Sequence, residues 1–194
     1  FGQSNEIISH IQSVFPEKEC HLYRNFPDHQ TEEMDLVANE NEPIKLFISV
    51  PEDFLIASPL EFNSENFLEA PSYQHLIDSP FLASKNLKHF TYQVSGSTFH
   101  LWFNGEIHFD IEKLTQIFKQ FTKAQINAFG EFPAQDYHFI FQLLPYKHYH
   151  GVEHQFSTVI TFGPAQSLSD QNQMRELIGV SSHELYHFWN VCRI

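Results

Sequence analysis

The sequence predicts an α+β fold, with a β-rich N-terminal part followed by a second part running helix, strand, strand, helix. Three observations predict it. Apolar residues alternate across 89–104 around a Ser-Gly turn. From Ile111 they recur at helical spacing up to Ala128. A second helical run opens at Asp170 and continues to the end of the chain. Period two marks strands and period 3.6 marks helices.

The 194 residues suit one ordinary domain, or one small domain with part of a second. Apolar residues make up 42% and charged residues 18%, which excludes a disordered chain and a membrane-embedded one. The net charge of −13 and the lack of a basic stripe argue against nucleic acid as a partner. No apolar run approaches the roughly 18 residues of a membrane span, so a soluble protein of unspecified compartment is expected. Cys20 and Cys192 form no paired framework. The chain starts at Phe1 and stops inside a helical run, so a piece of a longer protein is expected.

Taking the elements in order, residues 1–43 are polar, and Ile7, Ile8, Ile11 and Val14 fit a short helix or a loop-strand segment. Residues 44–50 (Ile-Lys-Leu-Phe-Ile-Ser-Val) read as a strand ended by Pro51. Four prolines between 51 and 80 suggest turns and short edges. Phe90, Tyr92 and Val94, then Ser95-Gly96-Ser97, then Phe99, Leu101 and Phe103 read as a hairpin with one apolar face. Ile111, Leu114, Ile117, Phe118, Phe121, Ala124 and Ala128 form a helix, with Asp110 as its N-cap and Gly130 just past its end. Strands follow at 136–144 and 155–162. The change from strands to helix at Asn104-Gly105 places the domain boundary there, giving domains 1–104 and 105–194.

The last helix carries His183-Glu184-Leu185-Tyr186-His187. Residues four apart on a helix share a face, so both imidazoles reach one ion. Two imidazoles, a carboxylate and an open position suit Zn2+, and Glu184 is placed to take a proton from an attacking water. The bland reading is a surface helix whose two histidines are simply solvated. A metzincin is excluded, because Asn190 and Arg193 stand where that family has Gly and His. A third ligand is missing from the residues after His187; Glu153, His154 and His150 are weaker upstream candidates.

A second polar cluster is Tyr149-His150-Gly151-Val152-Glu153-His154-Gln155-Phe156-Ser157. Gly151 allows close approach of a ligand to the backbone. Glu153 suits a cationic group, and the strand after it suits peptide binding by strand addition. The bland reading is a polar loop entering a strand.

His-Glu-Leu-Tyr-His-Phe-Trp-Asn-Val, with Arg193-Ile194, resembles the glycyl aminopeptidase family of zinc metallopeptidases, peptidase family sixty-one of the gluzincin clan. Gly151-Val152-Glu153-His154 with Ser157 resembles that family's second motif. Weaker likeness runs back through Tyr73–Pro80 and the hairpin, covering about residues 70–194. The resemblance implies His183 and His187 as zinc ligands and Glu184 as general base. It implies Glu153 as the contact for the substrate's free amino group, with His154 lining the same cleft. It implies a β-rich N-terminal domain, a thermolysin-like catalytic domain, and both the third ligand, a Glu, and a PDZ-like domain beyond Ile194. Cys192 stands where a basic residue is common in the family.

The leading expectation is a zinc-dependent aminopeptidase acting on peptides with small N-terminal residues, with residues 1–194 alone inactive for want of the third ligand. The alternatives are a non-catalytic peptide-binding module using the strand after Glu153, and a zinc esterase or amidase. Tyr149, Phe156, Phe188 and Trp189 are expected first as core residues.

Overall fold

The computed structural model describes residues 21–24, 43–62 and 67–190. The helix or loop expected over Ile7–Val14, and both cysteines, lie outside them. In chain order the strands are β1 (His21–Arg24), β2 (Ile44–Phe47), β3 (Leu55–Ala57), β4 (Glu61–Phe62), β5 (Phe67–Ala70), β6 (Leu82–Ser84), β7 (Lys88–Val94), β8 (Ser97–Asn104), β9 (Asp136–Leu143), β10 (His148–Glu153) and β11 (Ser157–Gly163). The helices are α1 (Tyr73–Ile77), α2 (Ile111–Phe129) and α3 (Gln171–Asn190), with a 3₁₀ turn at Ala165–Ser169. The fold class is α+β, as the sequence predicts.

The described residues up to Glu52, with Leu60–Ser79, form one compact unit; Asp53–Pro59 and the described residues from Pro80 onward form the other. The first unit is an antiparallel sheet in the order β1-β2-β5-β4. Ile44, Leu46, Leu68 and Ala70 are its buried residues, joined by Tyr73 and Leu76 of α1. Ser72 caps α1 by accepting from the His75 backbone N–H at 3.2 Å. This five-residue helix sits where the sequence suggested only turns and short edges.

The second unit is built on a five-stranded sheet in the order β10-β11-β9-β8-β7. β7 and β8 form the expected hairpin, and Ser95 and Gly96 both take positive φ, 54° and 90°, as a two-residue turn of the matching twist requires. β8 then pairs in parallel with β9, from Thr98 opposite Asp136 to Asn104 opposite Gln142. Parallel neighbours need a long crossover, and α2 supplies it. This pairing corrects the boundary expected at residue 105. The hairpin belongs to the same sheet as the strands after α2, and the units change over near residue 80 instead.

α2 begins and ends as its sequence dictates. The Asp110 side chain accepts from the backbone N–H groups of Glu112 and Lys113, both at 3.0 Å, and Gly130 closes the helix at φ +101°. Leu114, Phe118, Thr122 and Ile126 recur every four residues and are buried. They meet Phe99, Leu101, Phe103, Tyr137, Phe139 and Phe141 from one face of the sheet, and Leu177, Leu185 and Phe188 from α3. Each fully buried Phe contributes about 1.5–3 kcal/mol of transfer free energy. The opposite face of the sheet carries a smaller cluster, where Ala57, Leu87 and Ile140 are buried with Leu82, Trp102 and Val159 against them.

β11 pairs in parallel with β9 on one side and antiparallel with β10 on the other. The strand after Glu153 is therefore interior, which corrects the expectation of a peptide-binding edge there. The edge is β10, read from the sequence as a loop. Tyr149 on β10 is 55% exposed, correcting its assignment to the core, whereas Phe188 is buried and Phe156 and Trp189 pack half-buried against the core. Among the described residues, no helix is long and apolar enough to cross a membrane.

Candidate metal centre

α3 is fixed at its start by Asp170, whose carboxylate accepts from the backbone N–H groups of Asn172 at 2.8 Å and Gln173 at 3.2 Å. Leu177, Val180, Ser181, Glu184, Leu185 and Phe188 are its buried residues. That face seats the helix against β10, β11 and α2. Gln125 of α2 clamps the same turn, donating through Nε2 to the Ser182 carbonyl at 2.7 Å and to Ser182 Oγ at 2.9 Å.

His183 is exposed and His187, one turn on, is half-buried. Their Nε2 atoms stand 3.1 Å apart. Two imidazole nitrogens on one tetrahedral zinc ion, each 2.0–2.1 Å from it, stand about 3.3 Å apart. The ring centres are 4.6 Å apart and the planes cross at 87°. The rings thus bend toward a common point. The pair fits one small cation with little rearrangement.

Glu184 follows His183 by one residue, which sets its side chain nearer the sheet than that of His183. It is 5% exposed and lies against Gly151 of β10. A Cβ built on Gly151 would come within 2.8 Å of Glu184 Cδ, and closer still to Oε1. Glycine at 151 is what lets this carboxylate lie under the strand. Oε2 of Glu184 and Nδ1 of His187 are buried without a hydrogen-bond partner among the described residues. Orphaned buried polar atoms of this kind are expected where an ion or substrate completes the site.

Glu153 stands at the end of β10. Ligand atoms of Glu153, Glu184 and His187 lie within 4.8 Å of one another. Burial pushes the Glu184 carboxyl up, Glu153 adds to that, and His183, His187 and His150 oppose it. A carboxyl raised in this way holds a proton more readily than a solvated one, which suits a group that takes and returns protons.

The structure thus brings Glu153, His183, Glu184 and His187 to one place on the α3–β10 groove. His154 comes just after β10, its backbone N–H donating to the Ser157 carbonyl at 2.9 Å, and it is not among the three residues whose ligand atoms meet. Sequence reasoning missed Gln125, whose role depends on a contact across 57 positions. It also missed Tyr149 as a groove residue. Burial, then Glu176 and Glu184, push the Tyr149 hydroxyl up, and Tyr149 and Glu176 both line a cavity of about 760 Å³.

Residues 28–85 match the peptidase M61 N-terminal domain. The match begins well before residue 70, where the likeness read from the motifs starts. The fold is that of an aminopeptidase N family protein from Idiomarina loihiensis, with a TM-score of 0.71 and 23% identity over 80% of this chain and 28% of that one. An M1 zinc metallopeptidase from Deinococcus radiodurans aligns with a TM-score of 0.44 and 17% identity over 72% of this chain and 32% of that one. The chain spans about a third or less of the length of these structures. No curated protein matches it. Residues 28–85 thus resemble an M61 N-terminal domain, and the chain shares the fold of the aminopeptidase N family protein.

Proposed function

We propose that this protein is a zinc-dependent aminopeptidase, with His183 and His187 as metal ligands and Glu184 as general base. The observation that carries the reading is the convergence of the His183 and His187 Nε2 atoms at 3.1 Å on the helix that also holds the buried Glu184. When bound there, zinc supplies Lewis acidity toward a carbonyl and lowers the pKa of water to about 7. Glu184 accepts the proton of the attacking water and returns it to the leaving amine. Gly151 keeps the carboxylate in place for both transfers.

Glu153 sets which bond is cut. In hydrolysis of the first peptide bond the free α-amino group and the attacked carbonyl belong to the same residue, joined through one Cα. A carboxylate within 4.8 Å of the Glu184 and His187 ligand atoms is close enough to hold that amine while the carbonyl faces the metal ligands. There it binds a free α-amino group and restricts hydrolysis to the first peptide bond. The preference for small N-terminal residues rests on the family resemblance alone, as does a third ligand, a Glu, beyond Ile194. That ligand leaves Glu153 free for the amine.

Glu184→Gln in the intact protein should retain zinc and lose about 10²–10⁴-fold in peptide hydrolysis. Hydrolysis at the wild-type rate would overturn the metallopeptidase reading. Equal hydrolysis of free and N-acetylated peptides would leave a metallopeptidase but overturn the aminopeptidase assignment.

A further inference from the structure

The face of the five-stranded sheet away from α2 and α3 carries a second histidine group, drawn from β7, β8 and β9. His100 Nε2 lies 3.0 Å from Asp136 Oδ1, and His100 Nδ1 lies 2.9 Å from His89 Nε2. Below them, Trp102 Nε1–H donates to His138 Nδ1 at 3.1 Å. The two layers stack face to face. His89 covers Trp102 with 3.6 Å between ring centres, and His100 covers His138 with 4.2 Å, all planes within 5° in each pair.

This group is not a chelate. The His89 and His100 centres are 5.1 Å apart for an N···N distance of 2.9 Å, and the planes differ by 2°. The rings meet end to end, their nitrogens aimed at each other with no room for an ion. That is a hydrogen-bond geometry, and it dictates proton positions. The Asp136 carboxylate only accepts, so His100 carries its proton on Nε2. His100 Nδ1 is then an acceptor, and His89 carries its proton on Nε2. His138 accepts at Nδ1 from the indole, so its proton is on Nε2.

We propose that His89, His100 and Asp136 form a clasp between β7, β8 and β9 that takes up one proton in mild acid and excludes a second. The first proton enters at His89 Nδ1. The bridging proton then shifts from His89 Nε2 to His100 Nδ1, leaving His89 neutral and the cation on His100 beside Asp136. Every hydrogen bond survives. A second proton would place two cations across a 2.9 Å contact with no acceptor between them. The groups facing His100 are His89 from β7, and Asp136 and His138 from β9; Trp102 closes the array from β8. Burial and His100 together hold His89 low, so the cation rests on His100, and burial followed by His100 and His89 holds His138 down to about 3, so His138 does not take the proton from the pair.

The test is imidazole ¹H–¹⁵N spectroscopy of the intact protein between about pH 8 and pH 5. All three rings should start as Nε2–H tautomers. His89 and His100 should titrate together, taking up one proton between them, while His138 stays neutral. Asp136→Asn should move that transition down by about one pH unit or more. Should that variant not fold, His89→Gln decides: His100 should keep its Nε2–H tautomer and titrate as a single group. Two protons taken up at separate pH values, an Nδ1–H tautomer on His100, or a zinc or copper ion displacing the shared proton would each overturn the proposal.

Discussion

Two histidine groups sit on either side of one sheet, and the angle at which their rings meet separates their chemistry. On α3 the Nε2 atoms are 3.1 Å apart while the ring centres are only 4.6 Å apart, so the lone pairs converge on a point in space. On the outer face the nitrogens are closer, 2.9 Å, yet the centres are farther, 5.1 Å, so the lone pairs are spent on each other. The first arrangement suits a cation; the second suits a shared proton. Backbone geometry produces the difference. A helix turns residues i and i+4 to one side, whereas neighbouring strands lay their rings flat in a shared layer.

The largest separation between the two should come from acid. His138 has a folded value of about 3, below the ordinary 6.5, so the unfolded chain binds the proton first. Its stabilisation is whole above about pH 6.5 and is lost as pH falls toward 3. By pH 4.5 the loss is on the order of 3 kcal/mol. Urea unfolding at a series of pH values should show this slope, and His138→Gln should flatten it. A wild-type slope in that variant would place the acid sensitivity elsewhere.

Gly151→Ala acts on the other side of the sheet. The added Cβ meets Glu184, and overpacking of this kind costs about 1–3 kcal/mol. Peptide hydrolysis should fall with it, while the His89, His100 and His138 tautomers remain as they are. Gln125→Ala should have the smallest effect, about 1 kcal/mol, because it removes only the two bonds to Ser182. Zinc binding should weaken slightly in that variant, and the outer array should not respond. A change in the array's spectra in either case would mean the two groups are coupled.

The contrast also shows which features can be read in a sequence. His183 and His187 are legible because one helix fixes their relation. Asp110, Gly130 and the Ser95-Gly96 turn are legible for the same reason, since each acts within a few residues of itself. The outer array is not. His89 and His100 share the β7–β8 hairpin, but Asp136 and His138 join them only through the parallel register of β8 and β9 across α2. That pairing also hid the division of the chain, because a change from strand to helix resembles a boundary when it is half of a crossover. β10 escaped notice because His-Tyr-His-Gly-Val-Glu has no apolar alternation, as suits an edge strand with little to bury.

One measurement tests the metal centre most directly: zinc stoichiometry of the intact protein, set beside His187→Ala and His89→Gln. The prediction is one zinc per chain in the wild type and in His89→Gln, and its loss in His187→Ala. No zinc in the wild type, or zinc that departs with His89 and stays without His187, would contradict it.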